Sequence, residues 1–351
     1  MAKISIIIPV YNVEQFLDKC VQSLLSQTFT DIEILLVNDG STDNSTLIAQ
    51  EFAQHDVRIK YFYKENSGVS DARNLGIINA SSSYIIFLDA DDWLDENTCQ
   101  IAYDTINNNE ADMVFWGFYK AFPNEVLPEK LLYNEVTVFN TNQLQFLQRR
   151  ICGMLNEELI NTTQTDLYSM PWGKIIKKEC ITSNQIKFID RKIVGSEDTL
   201  FNFLLFQKLK KVIYINKHLN FYRQDNPNSL TKTDLPFLMP RFLNLFQEMT
   251  NYINDNNLGN NYQIALQNRI ALSTIGINLF IVNKRNTCTF LQKLKQIRAV
   301  LYQPVYEKAY QNLSLTYLPI HWKVFFWLCK NQFVLGVFVL SQVMRKLRNN
   351  E

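Results

Sequence analysis

The sequence predicts an α/β fold, a mostly parallel sheet flanked by helices, followed by a helical C-terminal region. Three observations carry that prediction. Over roughly the first 120 residues, short β-branched runs alternate with amphipathic segments, the pattern of right-handed βαβ units. A polar cluster closes each of the first four runs. From about residue 235 the alternation gives way to helically spaced Leu, Phe and Tyr with many Asn.

Residues 4–10 are dominated by β-branched side chains and form the first strand. Asn12 is placed to cap the following helix, with Gln15 three residues on as in a capping box. Val13, Phe16, Leu17, Cys20, Val21, Leu24 and Leu25 share one face of that helix, which stops before Thr28. Residues 32–37 make the second strand, ended by Asn38, Asp39, Gly40 and Ser41. A helix over 45–54, a strand over 59–63 and a helix over 70–78 follow. The fourth strand, 84–88, is an apolar run that ends abruptly in Asp89, Asp91 and Asp92. A helix over 96–107 and a strand over 113–116 complete this half.

In an open α/β sheet, ligands collect at the carboxyl ends of the strands. Here those ends carry Pro9, Tyr11 and Asn12, then residues 38–41, then 66–74, then Asp89 and Asp91. Their convergence on one sheet edge points to a binding site. Two carboxylates there are hard oxygen ligands suited to Mg²⁺ or Mn²⁺, ions that also bind substrate phosphates. The local alternative is that Asp91 or Asp92 caps the helix beginning near Glu96. GxGxxG after the first strand and the Walker pattern are both missing. A nucleotide on this sheet is therefore bound without a glycine cradle, its phosphates neutralised by the metal.

At 351 residues the chain is long enough for two domains, and its formal net charge of +1 excludes a general nucleic-acid binder. The six cysteines are scattered without a CxxC pair, and residues 1–5 run into a strand without a signal-peptide layout. Reduced thiols in the cytoplasm are expected. With only His55, His218 and His321, far apart, a His-based zinc site is not expected.

Taken together, residues 5–12, 37–43, 68–74 and 88–92 resemble the inverting family 2 glycosyltransferases of GT-A fold, a Rossmann-like architecture. Bacterial capsular and exopolysaccharide enzymes are the nearest likeness. The match is dense over the first third and continues weakly to about residue 232. It implies a nucleotide-sugar-binding half over 1–118, an acceptor-binding and catalytic half over 119–232, and a helical region over 233–351 that associates with membrane or oligomerises.

The resemblance also implies roles. Pro9 and Tyr11 line the base pocket, and Asp39 accepts a hydrogen bond from the uracil imide. Arg73 sits at the base or diphosphate side, and Asp71 and Ala90 belong to the donor site through their motifs. Asp89 reaches the ribose or a metal-bound water, and Asp91 ligates Mn²⁺ or Mg²⁺. Each has a local alternative: Asp39 before Gly40 as turn chemistry, Asp43 as a helix cap, Arg73 paired with an Asp of its own helix.

Farther on, Trp172 stands in a W-x-K segment resembling the family's and is assigned to the acceptor sugar, an ordinary core Trp being the alternative. Ser196 can cap a helix whose first turn holds Glu197 and Asp198, where the dipole favours acids. The resemblance makes Asp198 the general base, with Glu197 second. Residues 219–224 and 228–231 resemble the segment closing the catalytic half, with Arg223 or His218 near the diphosphate; a strand and a polar loop are the alternative.

Ile264, Ala265, Leu266, Ile270, Ala271, Leu272, Ile275, Leu279 and Phe280 predict a buried helix. The apolar run 333–340 has eight residues, short of the ~20 that span a bilayer. With Arg345, Lys346 and Arg348 after it, an interfacial helix at the inner face of the cell membrane is expected. Packing on its own domain or on a second subunit, as a homo-oligomer, is the alternative. Gln342 and Arg345 only partly echo the Q-x-x-R-W of processive members, so one sugar per encounter is expected. The implied reaction moves it from a UDP-sugar to a saccharide carried on a polyprenyl diphosphate. The competing classes are a sugar nucleotidyltransferase, which should carry a glycine-rich basic loop after the first strand, and an inactive interaction protein, which should have lost Asp89, Asp91 or Asp198.

Overall fold

The computed structural model describes residues 2–132, 135–166, 168–227 and 238–348. The segment 228–231 and the boundary at 232/233 lie outside the described residues. The chain divides into two compact units: Met1–Leu147 with Tyr168–Arg191 and Glu197–Ser229, and Gln148–Leu167 with Lys192–Ser196 and Leu230–Glu351.

The first unit begins β1 (Ile4–Val10), α1 (Leu17–Leu25), β2 (Ile32–Asp39), α2 (Ser45–His55), β3 (Ile59–Lys64), α3 (Val69–Asn79) and β4 (Tyr84–Phe87). β5 (Trp93–Leu94), α4 (Thr98–Asn108), β6 (Met113–Ala121), β7 (Val126–Glu129), β8 (Val136–Asn140) and α5 (Thr141–Cys152) follow. Then come β9 (Lys174–Lys177), α6 (Lys178–Thr182), α8 (Glu197–Phe206) and β10 (Lys211–Arg223), while α7 (Arg191–Val194), before α8 in the chain, falls mostly in the second unit.

These strands form one sheet ordered β3-β2-β1-β4-β9-β6-β10-β5, with β7 on β6 and β8 on β10. β3, β2, β1 and β4 are parallel, as the βαβ pattern requires. The expected fifth strand, β6, does not lie beside β4. Short antiparallel β9 is inserted between them, with Ile175 and Ile176 facing both neighbours, and the sheet is mixed. β6 then pairs parallel with β10, whose register slips between Ile215 and Asn220.

β1 and β2 are buried almost end to end, which is why they read as unbroken apolar runs. Gly76 lets α3 sit against β1: a Cβ there would come within 2.3 Å of Ile7. At the amino end of β2, Glu33 is a buried polar exception. It accepts from Ser5 Oγ at 2.5 Å, Lys60 Nζ at 2.6 Å and Ser81 N at 2.6 Å, so one carboxylate ties β1, β3 and the approach to β4. Burial alone would raise its pKa, but the Lys60 ammonium and the Ser5 and Ser81 donors hold it down to about 2.

The second unit carries α9 (Leu238–Asp255), α10 (Asn260–Ile281), α11 (Phe290–Leu301), α12 (Pro304–Asn312), α13 (Ile320–Lys330) and α14 (Val334–Arg348). α10 is its core and buries Ala265, Leu266, Ile270, Ala271, Leu272 and Ile277. By length and composition it could cross a membrane, yet most of it is buried inside the fold. Arg269 fixes it by donating to the carbonyls of Cys152 and Ile151 at 2.8 and 2.9 Å and to Asp166 at 2.7 Å. Tyr310 and Tyr306 of α12 meet Thr274 and Ser273 at 2.8 and 3.1 Å.

Candidate active site

The carboxyl ends of β1, β2 and β4 share one edge because the strands are parallel. Their loops are sewn together there. Asn12 does not cap α1, which begins after Phe16 with no side-chain cap. With a positive φ of 50°, Asn12 instead accepts from Thr42 N at 2.8 Å. Val13 N donates to Ser45 Oγ at 2.9 Å, and Glu14 N donates to Asp43 at 3.1 Å. Asp43 also receives Ser45 N at 3.0 Å just ahead of α2, whose N-cap position is Asn44 rather than Asp43. The loop after β1 is thus held by the loop after β2, because its polar groups find nearer partners there than along α1.

Asp39 closes β2 and is buried. It accepts from Ser67 N at 3.0 Å and Gly68 N at 2.8 Å, and it pairs with Lys64. Gly68, at φ 104°, then starts α3. Pro9 lies half-buried at the end of β1, and Tyr11 beyond it is 48% exposed, its ring open to a stacking partner. Asn38, by contrast, bonds Thr46, Tyr61 and Ser41 N and shapes its own turn.

On α3, Ser70, Arg73 and Asn74 occupy one face. Ser70 Oγ donates to Ile189 O at 2.9 Å, and Asn74 exchanges two bonds with the Phe188 backbone at 2.8 and 2.9 Å. Asp71 stands off that face, exposed in the first turn. Arg73 is the hub. Its Nη2 lies 2.9 Å from Asp89 Oδ1, and its Nη1 lies 2.7 Å from Asp198 Oδ1 and 3.5 Å from Glu197 Oε1. Phe188, stacked on Phe201 at 3.8 Å, presents its ring 5.2 Å from the guanidinium. Arg73 therefore pairs with acids from β4 and α8 rather than with an Asp of its own helix.

Glu197 and Asp198 are in the first turn of α8, as expected. Glu197 is buried between Arg73 and Arg191, the latter at 4.0 Å. Asp198 keeps 30% of its side chain exposed, as does Asp89. Burial pushes the Asp198 carboxyl up to about 8; Arg73 pulls it down, and Glu197 and Asp89 add to the rise. Behind it, Asn202 donates to Asp198 O at 2.9 Å and accepts from Lys174 Nζ at 2.9 Å. Burial lowers that lysine to about 7, partly opposed by Asp198.

After β4, Ala90 is buried, and Asp91 accepts from Asn226 Nδ2 at 2.7 Å. Arg223 donates from Nε to Asp91 O at 2.8 Å and from its backbone N to Asp92 at 2.8 Å. Burial and the Asp89 carboxylate raise Asp91. Asp92 is more deeply buried and raised further, and its Oδ2 has no hydrogen-bond partner among the described residues. Trp172 is 5% exposed, edge-on to Phe118 at 4.9 Å and beside Tyr222 at 5.2 Å. His218 lies beside Tyr119, ring centroids 4.9 Å apart and tilted.

Among the described residues no group of three or more His, Cys, Asp and Glu is arranged to hold a metal alone. The donor set fits a different use. Asp91 is a half-buried carboxylate beside a second one, and a cation shared with substrate phosphates would relieve that repulsion. Sequence reasoning missed Lys64, Asn226, Lys174 and Asn202. The bonds Lys64–Asp39, Lys174–Asn202 and Asn226–Asp91 span 25, 28 and 135 residues, so local spacing gave no signal for them.

Residues 5–161 match the sequence profile described as Glycosyl transferase family 2. The uncharacterized glycosyltransferase EpsJ of Bacillus subtilis (strain 168) is 36% identical over 65% of this chain and 63% of its own length. Glycosyltransferase GlyG of Streptococcus pneumoniae serotype 4 is 31% identical over 66% of this chain and 73% of its own. Residues 1–349 of S. aureus TarS, solved with UDP-GlcNAc, superpose with a TM-score of 0.67 at 16% identity, over 98% of this chain and 92% of that one. At that identity the likeness carries the fold, which is the expected GT-A α/β type.

Proposed function

The chain belongs to glycosyltransferase family 2, and on that premise we propose that it moves one sugar from a UDP-sugar to a hydroxyl of a lipid-linked saccharide, with inversion. The observation that carries this reading is the Arg73 bridge. It sets an acid at the end of β4 and an acid at the start of α8 on one guanidinium, each still part-exposed. That pairing supports reading Asp89 as the donor-side and Asp198 as the acceptor-side carboxylate. UDP as the nucleotide is supported by TarS, solved with UDP and with UDP-GlcNAc. The lipid-linked acceptor rests on the family resemblance.

Asp198 is the base. Its pKa of about 8 suits proton acceptance near neutrality, whereas Glu197 is engaged between two guanidinium groups. As the acceptor oxygen attacks the anomeric carbon, its proton passes to Asp198. The bond from that carbon to the UDP oxygen breaks on the opposite face, and the electron pair leaves with UDP. One displacement inverts the centre, so an α-linked donor gives a β-linked product. Asp91, with Asp89 beside it, would hold Mn²⁺ or Mg²⁺, which supplies positive charge to the diphosphate. Tyr11 is available to pack on the base.

Release of UDP from UDP-sugars, with Mn²⁺ and with EDTA, tests the reading. Wild type should turn over only with metal. Asp198→Asn should lose at least ~100-fold in turnover while UDP still raises the Tm. Unchanged turnover in that variant would remove Asp198 as base, and absence of any nucleotide response in folded protein would sink the donor site.

A further inference from the structure

Charge is divided unevenly along this chain. Residues 1–255 carry 23 Lys and Arg against 32 Asp and Glu, whereas residues 256–351 carry 12 against two, Glu307 and Glu351. From 308 to 350 acids are missing altogether, and six cations remain. That stretch contains α13 and α14, which pack on each other. Gly336 makes the contact close, since a Cβ there would meet Leu328 at 2.9 Å.

Both helices leave an apolar stripe uncovered. On α13 it is Ile320, Val324 and Trp327, at 75, 47 and 56% exposure. On α14 it is Leu335, Val339, Val343 and Leu347, spaced every four residues and 46 to 64% exposed. Lys323 and Lys330 fall ~60–80° around α13 from its stripe, on one side. Lys330 and Lys346 are exposed.

We infer that the exposed stripes of α13 and α14 dock on the surface of an anionic lipid bilayer. An aromatic and aliphatic stripe bordered by lysines suits the headgroup region of such a bilayer. Neither helix reaches the ~20 residues that would span it. A second copy of this chain is a poor occupant, because pairing the face with itself would bring cations against cations. The docking goes beyond the transferase reading and needs neither donor nor acceptor, so the two stand or fall by different measurements.

The test is co-sedimentation of the 351-residue chain with extruded vesicles of phosphatidylcholine, with and without phosphatidylglycerol, at low and high salt. Binding should require phosphatidylglycerol and weaken with salt. Lys323→Gln and Lys330→Gln should each lower the partition coefficient about fivefold. Trp327→Ala, an exposed change that leaves the fold and its Tm intact, should lower it further. Equal binding to both vesicle types, or none by protein with a normal Tm, overturns the inference. So does a solution dimer that Trp327→Ala dissociates while vesicles bind neither protein, which would make the face a subunit interface.

Discussion

A single guanidinium balancing three acids makes Arg73 the residue on which the chemistry turns. Arg73→Lys keeps the charge but cannot span Asp89 and Asp198 together. Losing one charge-assisted bond of ~1.5–3 kcal/mol should cost about 10- to 100-fold in kcat/KM. The pH profile gives the second readout. Transfer needs Asp198 deprotonated, so the rate should rise with pH through about 8. Because the charge on Arg73 pulls that value down, the rising limb should move to higher pH in Arg73→Gln, which removes that charge. A profile that stays in place would mean that the guanidinium positions the acid without tuning it. The bridge was not legible in the sequence, where Arg73 and Asp198 are 125 residues apart. What was legible was that each belongs to a polar cluster following an apolar run.

At the scale of elements, the β1–α1–β2–α2–β3–α3–β4 succession could be read directly, since both faces of β1, β2 and β4 are buried and α1 keeps a one-sided apolar face. β9 could not, because four residues give no period and its place between β4 and β6 is a matter of long-range pairing. Asn12 failed as a cap for a related reason, its partners lying on another loop. Glu33 shows what such pairing is worth. Its pKa is held at about 2, below the ordinary 4.5, so its contribution is complete above about pH 4.5 and disappears as pH falls through about 2. Glu33→Gln should therefore lower stability by about 3 kcal/mol at pH 7 and by little at pH 2. Thermal melts of both proteins across that range check this, and parallel curves at every pH would refute it.

For the molecule as a whole, the sequence marked the change near residue 235 by composition alone, and α9 to α14 follow it. The content of that change is electrical as well as helical. An overall charge of +1 and an isoelectric point near 7.5 describe an average that neither part of the chain possesses. Near that pH the protein carries almost no net repulsion between copies, while acid-rich surface on one molecule meets lysine-rich surface on another. It should behave as a colloid of opposite patches, clouding at low ionic strength around pH 7.5 and clearing when a few tenths molar salt screens the attraction. Light scattering against salt measures this, with turbidity that is indifferent to salt as the contrary result. The same division should let one preparation bind both anion- and cation-exchange resins at a single pH.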